Sequence, residues 1–196
     1  MHAWSVRLAG SGRMVRTARR LRMYLERSQS RDGSWTPLWF GNERAEGGRN
    51  PVYGTARVLL FSPSMLTRGA CGPAMDFLLS QQNPDGGWGA CRGVESSVEE
   101  TAVAVEALCC KHDAWAKWRD MPEPLTRHPS TLRLAIERGV AWLIDHTDGG
   151  RIFDPAPIGL YFASLWYYEQ IYPIAMTVAA LTRAAKLFSI PWRGDV

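Results

Sequence analysis

The chain has 196 residues, 46% of them hydrophobic and 11% aromatic with nine tryptophans. That is enough for one domain with a sizeable core and too apolar for a disordered segment. The net charge of +4 is unevenly placed, with eight arginines against one acid (Glu26) in residues 1–31 and 15 Lys and Arg against 18 Asp and Glu in the rest. No apolar run approaches the ~18 residues of a membrane-spanning helix. Cys71, Cys91, Cys109 and Cys110 form no CxxC pair and the four histidines no HExxH spacing, which argues against a disulfide scaffold or a metal site and for a reducing, cytoplasmic setting.

The first predicted element is a helix on which Met14, Val15, Ala18, Leu21, Tyr24 and Leu25 recur every three to four residues, with Arg16, Arg19, Arg20 and Arg27 opposite. Its basic surplus fits either an acidic partner (nucleic acid or lipid) or an outer helix with a solvated face. An Arg-rich, acid-poor stretch also describes a transit peptide, but the first repeat unit begins inside this helix and makes its later part structural. No nucleic-acid partner is expected. The phrase Gln29-Ser30-Arg31-Asp32-Gly33-Ser34-Trp35 comes next. It returns 53 residues on as Gln82-Asn83-Pro84-Asp85-Gly86-Gly87-Trp88, and 63 further in worn form as Asp148-Gly149-Gly150, with Arg151 in the tryptophan's place. An aromatic–leucine pair precedes each: Tyr24-Leu25, Phe77-Leu78 and Trp142-Leu143.

Between the repeats, a Gly-, Pro- and Asn-rich loop is expected over 41–51, then a helix over 53–61 stopped by Pro63, and another over 73–81. Ser97-Val98-Glu99-Glu100 matches a capping box that opens a longer helix. A proline-rich linker follows at 119–130, then a helix from Ser130 or Thr131 to about His146. The region 160–188 reads as two helices broken at Pro173, and nothing alternates as a strand would.

The repeated phrase has a physical reading as a clasp. The glutamine amide satisfies backbone at a helix end, where carbonyls lack partners. Asp-Gly turns the chain, and the tryptophan folds back on the helix terminus with its N–H kept for a polar partner. The clasp residues are thus Gln29, Gly33 and Trp35, then Gln82, Gly86 and Trp88. Three helix pairs, each too thin to bury its own apolar face, must stack on one another. The expected fold is all-α, a partial α/α toroid in one domain over 14–190, with a flexible basic terminus at 1–13 and a tail at 191–196.

These clasps resemble the QW motifs of the squalene-hopene and oxidosqualene cyclases, the class II triterpene cyclases. The resemblance extends over residues 15–187. Asp32-Gly33-Ser34-Trp35 followed by Tyr53-Gly54-Thr55 is similar to the C-terminal region of those enzymes, as is Arg138-Gly139-Val140-Ala141-Trp142-Leu143. The tail Tyr161-Phe162-Ala163-Ser164-Leu165-Trp166-Tyr167-Tyr168-Glu169-Gln170-Ile171-Tyr172-Pro173 resembles their aromatic closing segment. The family's fold is two α/α barrels, and the resemblance makes this chain the last part of one. Its catalytic acid, the middle Asp of an Asp-x-Asp-Asp-Thr-Ala motif, normally lies upstream of the matched region, and no such motif occurs here.

The chemistry so implied is an intramolecular, proton-initiated cyclisation, an isomerase reaction without metal or organic cofactor, on a squalene-like isoprenoid. It needs a protonated carboxylic acid and a dry aromatic cavity for the carbocation. Tyr53, Trp88, Tyr161, Trp166 and Tyr168 are candidate cavity walls; the resemblance places Tyr53, Trp88 and Tyr168 at substrate-facing positions. Pro157, Leu165 and Val94 stand where the family has aromatics. Ser97-Val98-Glu99-Glu100-Thr101-Ala102 loosely echoes the missing acid motif, making Glu99 or Glu100 the candidate acid. The plainer reading makes Glu100 the return half of the capping box, where the helix field lowers its pKa. Two rivals stand beside the cyclase. Protein prenyltransferase β subunits share the toroid but need an Asp/Cys/His zinc set that is missing here. A non-catalytic binding or assembly module, or a truncated cyclase remnant, would instead use the apolar flank of half a toroid to pair with a second copy or with an upstream cyclase half. The family's habit of sitting on a membrane face, together with the basic terminus, adds peripheral membrane contact as an expectation.

Overall fold

The computed structural model describes residues 12–61, 66–118, 129–160 and 163–190, without the side chains of 113–118 and 129. Among the described residues six helices run in order: α1 (Gly12–Ser28), α2 (Pro51–Phe61), α3 (Arg68–Gln81), α4 (Val98–Trp118), α5 (Pro129–His146) and α6 (Ile171–Leu187). Three short strands, β1 (Gly41–Asn42), β2 (Ile158–Leu160) and β3 (Leu165–Tyr167), lie between them. The flexible terminus expected over 1–13 lies, but for Gly12 and Arg13, outside the described residues, as do the tail at 191–196 and most of the expected linker.

The fold is the α/α arrangement of helical hairpins that the sequence implies, built around α4. Ala102, Val103, Ala104, Val105, Ala107 and Leu108 of α4 are all fully buried, so this helix is apolar around its girth and sits inside the molecule. It packs on α2, α5 and α6, and α3 packs on α2. By contrast, α1 has no buried residue; only Leu25 touches the core, while Met14, Leu21 and Tyr24 are exposed.

The two full repeats are superimposable bond for bond. Gln29 Nε2 donates to Gly33 O and, in the next hairpin, to Ala70 O, both at 2.9 Å. Gln82 Nε2 donates to Gly86 O (2.8 Å) and Ala135 O (2.9 Å). The indole of Trp35 donates to Leu25 O at 2.9 Å and that of Trp88 to Leu78 O at 2.8 Å. Their backbone N–H groups go to Thr55 Oγ1 (3.0 Å) and Thr101 Oγ1 (2.9 Å). Gly33 and Gly86 turn the chain at φ +90° and +99°, a region costly for any residue with a Cβ. Each clasp therefore closes one helix end and ties it to the following hairpin. The worn third repeat is different: the Thr147 carbonyl accepts from the N–H groups of Gly150, Arg151 and Ile152, and Arg151 stands where the other two repeats have their tryptophan.

The tail corrects the expectation of helices throughout. The strands form an antiparallel sheet in the order β1-β2-β3, with Gly41 opposite Gly159 and Ile158 opposite Tyr167. Pro173 does not divide the final helix. It is the third residue of α6, where a backbone N–H has no intrahelical partner to lose. The aromatic run before it, Leu165-Trp166-Tyr167, takes the extended form that such residues favour.

Candidate functional site: a buried carboxylate pair beside an aromatic wall

Glu99 and Glu100 occupy the first turn of α4 and are almost wholly inaccessible. Ser97 caps the helix, its Oγ accepting the N–H of Glu100 at 3.2 Å. The return half of a capping box is not made, because the N–H of Ser97 goes to Trp88 O at 3.0 Å. The Glu100 carboxylate turns inward instead. Its Oε1 accepts from Asn42 Nδ2 (3.0 Å) and Asn50 Nδ2 (2.6 Å), and its Oε2 from the Ser97 hydroxyl. This corrects the expected direction of its pKa. Burial pushes the carboxyl above its ordinary value, and the amide donors only oppose that rise.

Glu99 is less well provided. Oε1 accepts the backbone N–H of Ala156 at 2.8 Å, and Oε2 has no hydrogen-bond partner among the described residues. Burial pushes its pKa up to about 7; the Ala156 N–H works against the shift and the neighbouring Glu100 charge adds to it. Ala156 also lines a cleft of about 230 Å³ with Arg44, Ser97, Trp142, His146 and Asp154.

An aromatic cluster lies next to Glu100. Asn50, whose amide holds Glu100, also caps α2 by accepting the Tyr53 N–H on Oδ1 at 3.0 Å. The Phe40 ring stacks on Tyr53 at 4.6 Å, and Tyr172 meets Phe40 edge-on at 5.5 Å. Burial raises the pKa of the Tyr53 hydroxyl, with Tyr172, Glu100 and Tyr167 close enough to add to it and Arg57 working against it. Phe40 holds φ +63°, a conformation that a bulky side chain adopts at a cost and that accompanies functional positions more often than chance.

The sequence-predicted residues are thus scattered in part. Tyr53 and Glu100 come together through Asn50. Trp88 is fully buried as a clasp, its ring against Gly139. Trp166 is half-buried on β3, Tyr168 is 61% exposed, and Tyr161 lies outside the described residues. Sequence reasoning missed Phe40, Asn42, Asn50 and Tyr172. Among the described residues no group of three His, Cys, Asp or Glu side chains is placed to hold a metal ion, and no helix is long and apolar enough to cross a membrane.

Residues 7–186 match the squalene-hopene cyclase C-terminal domain family. The chain is 31% identical over 143 residues to enfumafungin synthase of Hormonema carpetanum, covering 73% of this chain and 10% of that protein. It is 30% identical over 141 residues to the type B diterpene cyclase of Mycobacterium tuberculosis, covering 71% and 23%. With the copalyl diphosphate synthase of Streptomyces cyslabdanicus it shares 27% over 190 residues, 94% of this chain and 30% of that one. Among solved structures, the ent-copalyl diphosphate synthase from Streptomyces platensis superposes with a TM-score of 0.62 at 25% identity, over 96% of this chain and 31% of that chain. The chain therefore spans less than a third of the length of each of these proteins.

Proposed function

Since the chain belongs to the squalene-hopene cyclase C-terminal domain family, we propose that it supplies an aromatic wall and a buried acid to the proton-initiated cyclisation of a linear isoprenoid. The observation that carries this reading is the asymmetry of the carboxylate pair. Burial raises both carboxyls above their ordinary value; Glu100 is held by three donors that oppose the rise, whereas Glu99 has one such donor and, among the described residues, an oxygen without a hydrogen-bond partner. A carboxyl kept neutral by burial can carry a proton, and Glu99, with one oxygen left open, is the one placed to give it up.

In this mechanism Glu99 holds the proton at neutral pH. A C–H bond forms at a terminal alkene carbon as the Glu99 O–H bond breaks, and the positive charge passes to the substituted carbon, where the next double bond attacks it. The rings of Phe40, Tyr53 and Tyr172 line the path of the migrating charge with their π clouds, and Asn42 and Asn50 hold the Glu100 carboxyl in place beside them. The enzyme class is then an intramolecular cyclase, with the remainder of the cavity supplied by other helical hairpins.

Purified protein incubated with squalene and with shorter linear polyenes, alone and with an upstream cyclase half, tests this by gas chromatography and mass spectrometry. Cyclic products are expected whose yield drops by ~100-fold or more in Glu99→Gln, the worth of a positioned acid, and falls as pH rises through about 7. Product formation that is indifferent to Glu99→Gln would overturn the acid assignment.

A second reading, assembly without catalysis, draws support from α6. Ile171, Ile174 and Val178 share one side of that helix and are all exposed, with Leu165 and Tyr168 also exposed just before it. A contiguous apolar flank of this kind is characteristic of an interface.

A further inference from the structure

The core takes up less of α1 than of any other helix, and it holds that helix by one end. Leu25 packs against the core, and its carbonyl accepts the Trp35 indole N–H of the first clasp. One residue on, Glu26 Oε1 accepts the Thr67 N–H at 3.1 Å. Towards the N-terminus the helix is bare. Of residues 13–21 only Ala18 is half-buried; the rest are exposed, Met14, Val15 and Leu21 among them. The clasp thus fastens the last turns and leaves most of a helix about 25 Å long facing outward.

That outward face is ordered. Arg13, Arg20 and Arg27 recur every seven residues, and Met14 and Leu21 each follow an arginine by one position. On a helix this spacing makes two parallel rows, one basic and one apolar. Tyr24, 69% exposed, lies between them. Near the fastened end a depression of about 370 Å³ is lined by Arg20, Met23, Tyr24, Arg27 and Ser28, so two guanidinium groups, a phenol ring and a thioether share one hollow. The helix's one acid, Glu26, lies 4.0 Å from Arg22. Arg13, Arg16, Arg19, Arg20 and Arg27 make no ion pair among the described residues. The surplus itself is a property of the sequence, since residues 1–31 hold eight arginines and no acid besides Glu26.

We propose that α1 docks the protein on an anionic lipid surface, lying in the plane of the headgroups. Such a helix needs apolar side chains to enter the acyl boundary and basic ones to reach the phosphates beside them. Met14, Leu21 and Tyr24 supply the first, and Arg13, Arg20 and Arg27 the second. The depression takes a headgroup phosphate between Arg20 and Arg27, with Met23 and Tyr24 against the carbons next to it. A nucleic acid would match the arginine row and leave Met14 and Leu21 in water. A neutral bilayer would take the apolar row and leave the guanidinium charges unanswered. An anionic bilayer matches both rows at once. The face uses neither the carboxylate pair, nor the aromatic cluster, nor the exposed side of α6, so the assignment is independent of the cyclase reading.

The test is co-sedimentation of the full chain with vesicles of phosphatidylcholine alone and of phosphatidylcholine mixed with phosphatidylglycerol, at low and at high salt. Binding is expected to the mixed vesicles only, and to weaken as salt screens the charges. Arg20→Gln with Arg27→Gln should weaken it ~20-fold, at about fivefold for each charge near the surface. Leu21→Ser should weaken it roughly fivefold through lost apolar contact. Both variants change exposed side chains, so their circular dichroism should match that of the wild type. Four results defeat the proposal: no binding to the mixed vesicles, equal binding to neutral ones, wild-type affinity in either variant, or tighter binding to a single-stranded RNA than to the mixed vesicles.

Discussion

Glu99 and Glu100 are neighbours in the chain, yet their oxygens meet different worlds. The consequence for stability can be worked out for Glu99. Its folded-state pKa of about 7 lies above the ordinary carboxylate value of 4.5, so between those two values the folded state binds more protons than the unfolded one. Stability therefore declines as pH rises across that window, and the loss levels off above it at ~3 kcal/mol. Glu99→Gln keeps an acceptor for the Ala156 N–H and cannot ionise. Melting curves near pH 5 and about pH 8 should show the wild type losing stability at the higher pH, while the variant loses ~2–3 kcal/mol less. An unchanged pH dependence in the variant would show that Glu99 does not hold the proton. The position of this carboxylate pair was legible in the sequence because it follows a clasp and opens a helix. Its partners were not, because Asn42 and Asn50 sit in a Gly-rich loop, where asparagine ordinarily signals a turn. Nor was Phe40, since nothing in a phenylalanine announces a left-handed backbone.

At the scale of elements, the clasps decide how one hairpin follows another. A Cβ at Gly33 would collide with the Pro73 carbonyl oxygen as well as forcing φ +90° on a residue that resists it. Gly33→Ala is expected to cost more than ~2 kcal/mol, with the denaturant midpoint as the measurement. Gly149→Ala, at φ +63° with nothing near the added carbon, should cost less, so equal losses would count against the collision. Trp88→Phe leaves a void where the larger indole stood and the Leu78 carbonyl without its indole donor, for a combined loss of about 2–4 kcal/mol. These joints could be read from residue spacing because the same bonds recur wherever the same phrase does. The β2–β3 region could not, since its strands are three residues long and too short for alternation to register, and a proline in a first helical turn looks on paper like a break.

For the molecule as a whole, the central placement of α4 means that its buried faces depend on every other hairpin at once, whereas α6 has company on one side alone. The exposed Ile171, Ile174 and Val178 predict association in solution. Light scattering should give a mass above that of one chain, shifting toward a single chain in Ile174→Lys with Val178→Glu; a monodisperse monomer of the wild type would remove the assembly reading. The family and the helical architecture were both visible before any coordinates, since repeats and helical periods are properties of the chain itself. The aromatic cluster was not, because Tyr172 comes to Phe40 and Tyr53 from the far end of the chain. The worn third repeat has its own outcome. With Arg151 in place of an indole, three amides crowd one threonine oxygen, and the strap running on to Ala156 is held by the packing of Phe153 on the core, by its sheet pairing and by the Glu99 carboxylate rather than by a clasp. Deuterium should enter that strap sooner than it enters the two tryptophan-closed turns. Opening of the strap would take from Glu99 the Ala156 N–H that favours its anion, so exchange at that amide reports how long the carboxyl goes without it.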